Sequence, residues 1–278
     1  MPLFGARTEV KLGIEALTVT VGEEIVCRVD VGEIDPNVQG GRVELGYQNT
    51  YRGYHRDSDG DEVNATFYTW VDVQTVPLFA GAPTRGPRVV RLRIPEDAPP
   101  SVKSAVEWQV VAIVDRRRAR DSRAKAHLVV NPAPGAPAHR VRVPEELPED
   151  IPAEIPMTID LATPELRRGG TLTGTVTAHP SEEMPEEEHV RGLRVQLVRE
   201  RQEQDGIDDH KVEAKVPITG ELTLRPGQPI SAPFQIVLAA DAEPCFEARY
   251  NSQHWYLEAI VDIPRAPDVV SRVELLVT

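Results

Sequence analysis

Hydrophobic and polar positions alternate along this chain in short runs. The clearest covers Ile25–Val31: positions 25, 27, 29 and 31 are apolar, while Arg28 and Asp30 point the other way. A period of two with one buried face predicts a β-strand in an antiparallel sheet. Trp108, Val110, Ala112 and Val114 form another such face, and Gln109 lies opposite; Trp255, Leu257, Ala259 and Val261 do the same, with Glu258 opposite. Both tryptophans belong to apolar sets and are expected in the core. The runs lie between Gly, Pro and Asp clusters. With 25 prolines and 19 glycines, and no long stretch of helical period, the chain predicts an all-β protein.

Two of these runs match at a fixed offset of 147. Across positions 108–130 the offset gives 10 identities in 23 without a gap, including Trp108/Trp255, Asp115/Asp262, Asp121/Asp268 and Val130/Val277. It also pairs Gly22 with Gly169, Ile25 with Leu172, and Val29 with Val176. An offset of 152 pairs Arg42-Val43-x-Leu45 with Arg194-Val195-x-Leu197, which places a five-residue insertion before Arg194, at the acidic run Glu182–Glu188. A period this long is a duplicated domain rather than a solenoid repeat. Each copy holds enough strands for an antiparallel sandwich. We therefore expect two tandem immunoglobulin-like β-sandwiches from an internal duplication, at residues 1–131 and 156–278. A Pro-rich linker at 132–155 joins them.

Charge is unevenly shared. The net charge is −13, yet residues 1–131 carry 17 basic and 18 acidic side chains against 14 and 26 in residues 132–278. An acidic balance argues against a nucleic-acid partner. No run of 18 apolar residues predicts a membrane-spanning helix. Met1–Arg7 lacks the apolar stretch of a signal peptide, and two distant cysteines, Cys27 and Cys245, set no disulfide framework. Cys27 reads as buried, and Cys245 lies in a loop-like stretch open to solvent. We expect a cytoplasmic protein.

Trp255-x-Leu257-x-Ala259-x-x-Asp262, followed by Asp268 and a return strand, resembles the late hairpin of arrestin-fold domains. Gly22-Glu23-Glu24-Ile25 and Gly169-Gly170-Thr171-Leu172 are similar to their early turn, Val43-x-Leu45 and Val195-x-Leu197 to the next strand, and Ile94–Pro99 to the segment before the hairpin. Two such domains joined by a linker look most like the bacterial sporulation-control branch of arrestin-related proteins. The resemblance implies regulation through protein contacts rather than catalysis. It also implies a polar contact between the domains, in which Asp115, Asp121, Asp262 and Asp268 would meet an arginine that the sequence does not name.

No catalytic set stands out. Gly-x-Ser-x-Gly, GxGxxG, GxxxxGK[ST], Cys-x-x-Cys and HxxxH are all missing from the sequence. Asp57-Ser58-Asp59-Gly60-Asp61-Glu62 alternates hard oxygens, but Glu62 and Tyr68 stand where a calcium loop needs Gly and Glu; it predicts a hairpin turn instead. We expect no enzyme activity, no metal site and no cofactor, with a hydrolase in an inter-domain cleft as the remote alternative. The feature that does stand out is the hairpin tip Arg116–Arg123. Arg116, Arg117, Arg118, Arg120 and Arg123 put five guanidiniums into eight residues of a nearly neutral domain. They are suited to carboxylates or phosphates on a protein partner. An anionic membrane surface or ligand is the alternative, and a solvated turn that protects the hairpin from aggregation is the plain one.

Overall fold

The computed structural model describes residues 8–32, 37–80, 86–117, 120–132, 155–184 and 186–278. Nearly all of the linker read at 132–155, and Arg118 of the arginine tip, lie outside them. The chain divides into two compact units. The first comprises residues 1–136 with Glu203–Asp205 and Glu247–Asn251, and the second comprises the remainder. Among the described residues the protein is all β apart from a 3-10 turn at Gln204–Gly206.

The first unit holds β1 (Val10–Ile14), β2 (Thr18–Thr20), β3 (Glu24–Val31), β4 (Val38–Arg56), β5 (Glu62–Ala80), β6 (Arg88–Arg93), β7 (Val106–Arg116) and β8 (Ser122–Asn131). They form a three-stranded sheet, β1-β3-β6, and a five-stranded sheet, β2-β8-β7-β4-β5. The expected alternation holds in β3, where Ile25, Cys27, Val29 and Val31 are buried and Arg28 and Asp30 exposed. Trp108, Val110, Ala112 and Val114 of β7 are fully buried. The Asp57 turn forms as predicted: its carboxylate accepts the Asp59 and Asp61 N–H groups at 2.9 and 3.0 Å. Gly60 there takes φ 90°, which favours glycine. The strands it joins extend to Arg56 and from Glu62.

The second unit holds β9 (Met157–Leu161), β10 (Glu165–Leu166), β11 (Thr171–Ala178), β12 (Glu188–Val190), β13 (Gly192–Gln202), β14 (Asp208–Pro217), β15 (Leu222–Leu224), β16 (Ile230–Val237), β17 (Phe246–Glu247), β18 (Ser252–Asp262) and β19 (Val269–Val277). Its largest sheet runs β10-β19-β18-β13-β14, with β17 beside β18; a three-stranded sheet runs β16-β11-β9, and β12 pairs with β15. Trp255, Leu257, Ala259 and Val261 pack in its core with Leu172, Val176 and Phe234. Ile155, read as the last linker residue, is buried in the same core.

The topology of the second unit repeats that of the first at the offsets read from sequence. β2 runs parallel to β8 through Val19↔Val130, and β10 runs parallel to β19 through Leu166↔Val277. Arg42 faces Ile113 across β4 and β7, and Arg194 faces Ile260 across β13 and β18. A register shift interrupts β4–β5 between Leu45 and Gly46, and β13–β14 between Leu197 and Val198. Both indoles donate to a backbone carbonyl: Trp108 to Pro99 at 2.9 Å and Trp255 to Glu243 at 3.0 Å.

The outward faces depart from the simple alternation. Gln109, Val111 and Ile113 on β7, and Glu258 and Ile260 on β18, are buried although they point away from the core.

Candidate functional site

The four aspartates flanking the two late hairpins find their arginines within their own units. Arg42 on β4 reaches diagonally to Asp115 on β7, and its Nε meets Glu44 at 2.6 Å. Hydrogen bonds that Arg42 donates to Asp115, then to Glu44, push its pKa up, so the guanidinium stays charged. In the second unit Arg194 meets Asp262 at 3.1 Å and Asp268 at 2.7 Å, and Arg191 adds a longer contact to Asp262. Asp121 accepts the Arg116 N–H at 3.3 Å and pairs with Arg123 at 3.5 Å. These clamps tie the base of each hairpin to the neighbouring strand. The partners we describe for these residues are thus intra-unit, where the resemblance had led us to expect a contact between domains. The arginines were visible in sequence as the matched Arg-Val-x-Leu pairs, but only strand register shows that they reach the aspartates.

Above the clamp, Arg117, Arg120 and Arg123 are exposed and Arg116 is half-buried. The tip therefore presents guanidiniums to solvent on a hairpin anchored from below. The corresponding tip of the second unit, Ile263–Pro267, carries one arginine, Arg265.

Next to this tip, the outer face of the first unit's larger sheet forms a groove of about 360 Å³. Tyr68 and Trp70 line one side, Gln109, Val111 and Ile113 the floor, and Arg123 and Lys125 the other side, with Glu44 and Gln48 between. Gly46 makes room for the Trp70 ring, whose nearest atom lies 2.6 Å from where a Cβ would sit. In the second unit the same face is filled by a charged lattice. Arg272 lies over the Tyr256 ring, 3.5 Å from its centroid, and binds Glu200 at 2.5 Å and Glu258 at 3.5 Å. Gln196 donates to Glu258 at 2.8 Å, and His210 contacts Glu200 at 3.1 Å. Burial alone would raise the Glu200 pKa; hydrogen bonds from Arg272 and His210 outweigh it and hold the carboxyl below its usual range.

Residues 154–274 match the family model described as Spo0M: SpoOM protein. This segment of the chain is similar to the Spo0M family. Among solved structures, the crystal structure of Spo0M, sporulation control protein, from Bacillus subtilis is similar at 19% identity, with a TM-score of 0.37, over 45% of this chain and 49% of that one. The match therefore spans about half the length of that relative. A comparison with curated proteins finds no match. The Spo0M match covers the Trp255–Asp262 strand and Asp268, which carried the resemblance read from sequence.

In the segment that matches this model, Cys245 is half-buried rather than open to solvent as its loop-like sequence suggested. It packs against the core, its thiol donates to the Leu275 carbonyl at 3.3 Å, and burial pushes its pKa up to about 11. Cys27 is fully buried, with its pKa likewise raised by burial to about 11. Among the described residues no group of three His, Cys, Asp or Glu side chains is placed to hold a metal ion. No helix among them is long and apolar enough to cross a membrane.

Proposed function

We propose that this chain is a non-catalytic regulatory adaptor, built of two β-sandwiches that arose by duplication, which binds other proteins in the manner expected of a sporulation-control protein. The observation that carries the reading is the hairpin tip at Arg116–Arg123. Its exposed guanidiniums stand on a nearly neutral unit, and the Arg42–Asp115 clamp fixes the strand that supports them. The clamp holds the backbone of the hairpin base, so binding has less main chain to order, and the planar guanidinium fork suits carboxylates on a partner surface. The Spo0M match of residues 154–274 supports the regulatory side of the reading, and the register shared by the two units supports the duplication.

The test is affinity capture from native lysate, using wild type and a variant with Glu at Arg117, Arg118 and Arg120. A defined protein enriched by wild type and lost by the variant is the expected result. Identical captures by both would remove the tip from the function. Retention of wild type on anionic vesicles at low salt, with no protein captured, would replace the adaptor with a membrane-surface protein.

A further inference from the structure

The two units differ most where their architecture is most alike. Strand registers superimpose their outer faces residue by residue: Gln48 corresponds to Glu200, Glu44 to Gln196, Val111 to Glu258, Gln109 to Tyr256 and Lys125 to Arg272. In the second unit the cation at this place is neutralised from within, by Glu200 and Glu258, and stacks on Tyr256. The other groove in that unit is also self-satisfied: its Arg199 faces Asp209, Glu213 and Glu243.

In the first unit both carboxylates are replaced by uncharged residues, Gln48 and Val111, and the cation remains. Lys125 is exposed and has no ion-pair partner among the described residues. Glu44, the groove's own carboxylate, is committed to Arg42. The vacated space is the groove itself. Tyr68, 67% exposed, and Trp70, 37% exposed, offer aromatic surface on the side opposite the charge. Val111 and Ile113, apolar and buried, make its floor.

We propose that this groove docks an extended acidic peptide of a partner protein, with a carboxylate of the peptide on Lys125 in the place that Glu200 and Glu258 occupy around Arg272. An aromatic or aliphatic neighbour in the peptide packs on Trp70 and Tyr68, and further acidic residues run toward Arg123 and the exposed tip. A carboxylate supplied by a ligand recovers the neutralisation that the second unit builds into its own strands. The inference rests on the protein-binding reading above and deepens it by naming the chemistry of the partner segment.

The probe is a fluorescein-labelled peptide, Gly-Ser-Glu-Glu-Phe-Glu-Val-Glu-Ser-Gly, titrated with the full chain at low salt and read by anisotropy. Its counterpart carries Gln in place of every Glu. Wild type is expected to bind the Glu peptide at least about tenfold more tightly than the Gln peptide, and Lys125→Glu to lose about tenfold. Gln48→Glu restores the carboxylate that Glu200 supplies in the second unit, so it occupies Lys125 internally and weakens the peptide by a similar factor. Trp70→Ala weakens binding about fivefold through the lost aromatic contact. Lys125→Glu should in turn prefer a Lys-for-Glu version of the peptide, a reversal that misfolding would not produce. Thermal melts by circular dichroism confirm that each variant is folded. Equal binding of the Glu and Gln peptides, no binding up to about 1 mM, or unchanged affinity in Lys125→Glu would each overturn the proposal. Vesicles containing phosphatidylglycerol that bind through Lys125 when the peptide does not would overturn it in favour of a lipid. If the peptide fails while substitutions at Arg117, Arg118 and Arg120 still abolish capture, the groove is wrong and the adaptor reading stands. If both fail, both are wrong.

Discussion

Replacing Trp108 with Phe tests the shared architecture at its core. The indole is fully buried, and its N–H donates to the Pro99 carbonyl at 2.9 Å. The substitution removes a hydrogen bond worth about 1 kcal/mol and leaves that carbonyl without its donor. It also deletes part of a buried ring, which adds about 1–2 kcal/mol of lost transfer energy and residual cavity. The expected loss is therefore about 2–3 kcal/mol. Trp255→Phe should lose a similar amount, because that indole is equally buried and donates to Glu243 at 3.0 Å. Trp70→Phe, on the partly exposed outer face, should cost no more than about 0.5 kcal/mol. The assay is urea unfolding followed by far-UV circular dichroism, with the two units fitted as separate transitions. At an m-value of about 1.5 kcal/mol per molar, the affected transition should move down by about 1–2 M urea. If Trp108→Phe and Trp70→Phe shift the curve equally, the indole is not the core anchor described above. If Trp255→Phe costs little while Trp108→Phe costs much, the equivalence of the two units fails at its most conspicuous residue.

Glu200 has a folded pKa below its unfolded value, so its ionic contacts stabilise the protein at pH above about 4.5 and are lost as pH falls through the lower folded value. An acid-unfolding series should therefore show wild type losing more stability than Glu200→Gln on going below pH 4.5. A thiol reagent applied at neutral pH should modify neither Cys27 nor Cys245 in the native protein and both after denaturation, since burial raises both thiols to about 11. Asp57→Ala removes the carboxylate that accepts two turn N–H groups and should cost about 1 kcal/mol, read as a lower melting temperature without loss of the fold.

The parts of the fold that depend on local alternation were legible in the chain. The buried face of β3, the Trp108 and Trp255 strands and the Asp57 turn follow from period-two patterning and turn chemistry alone. The offsets of 147 and 152 carried further, because together they aligned strands whose pairing registers are the same in both units. What the chain did not disclose depends on neighbours across strands. Gln109 and Glu258 read as solvent-facing because alternation distinguishes the two faces of a strand but does not show what lies over the outer one. Arg42 and Arg194 had no visible partner, since a diagonal contact to Asp115 or Asp262 exists only once register is fixed. Cys245 sits in an irregular stretch that reads as loop, yet the Leu275 carbonyl and Val277 N–H take it up. The groove at Lys125 is legible only by comparison, as the place where one unit keeps a cation and omits the acids that the other provides.

In the proposed reading, the arginine-bearing hairpin and the groove beside it form the surface that meets a protein partner. Hydrogen exchange of the full chain, alone and with the captured partner, measures this most directly. Exchange should slow in β7, β8 and the tip between them, with smaller protection in β5 around Tyr68 and Trp70. Protection confined to the strands of the second unit, with the hairpin unchanged, would contradict it.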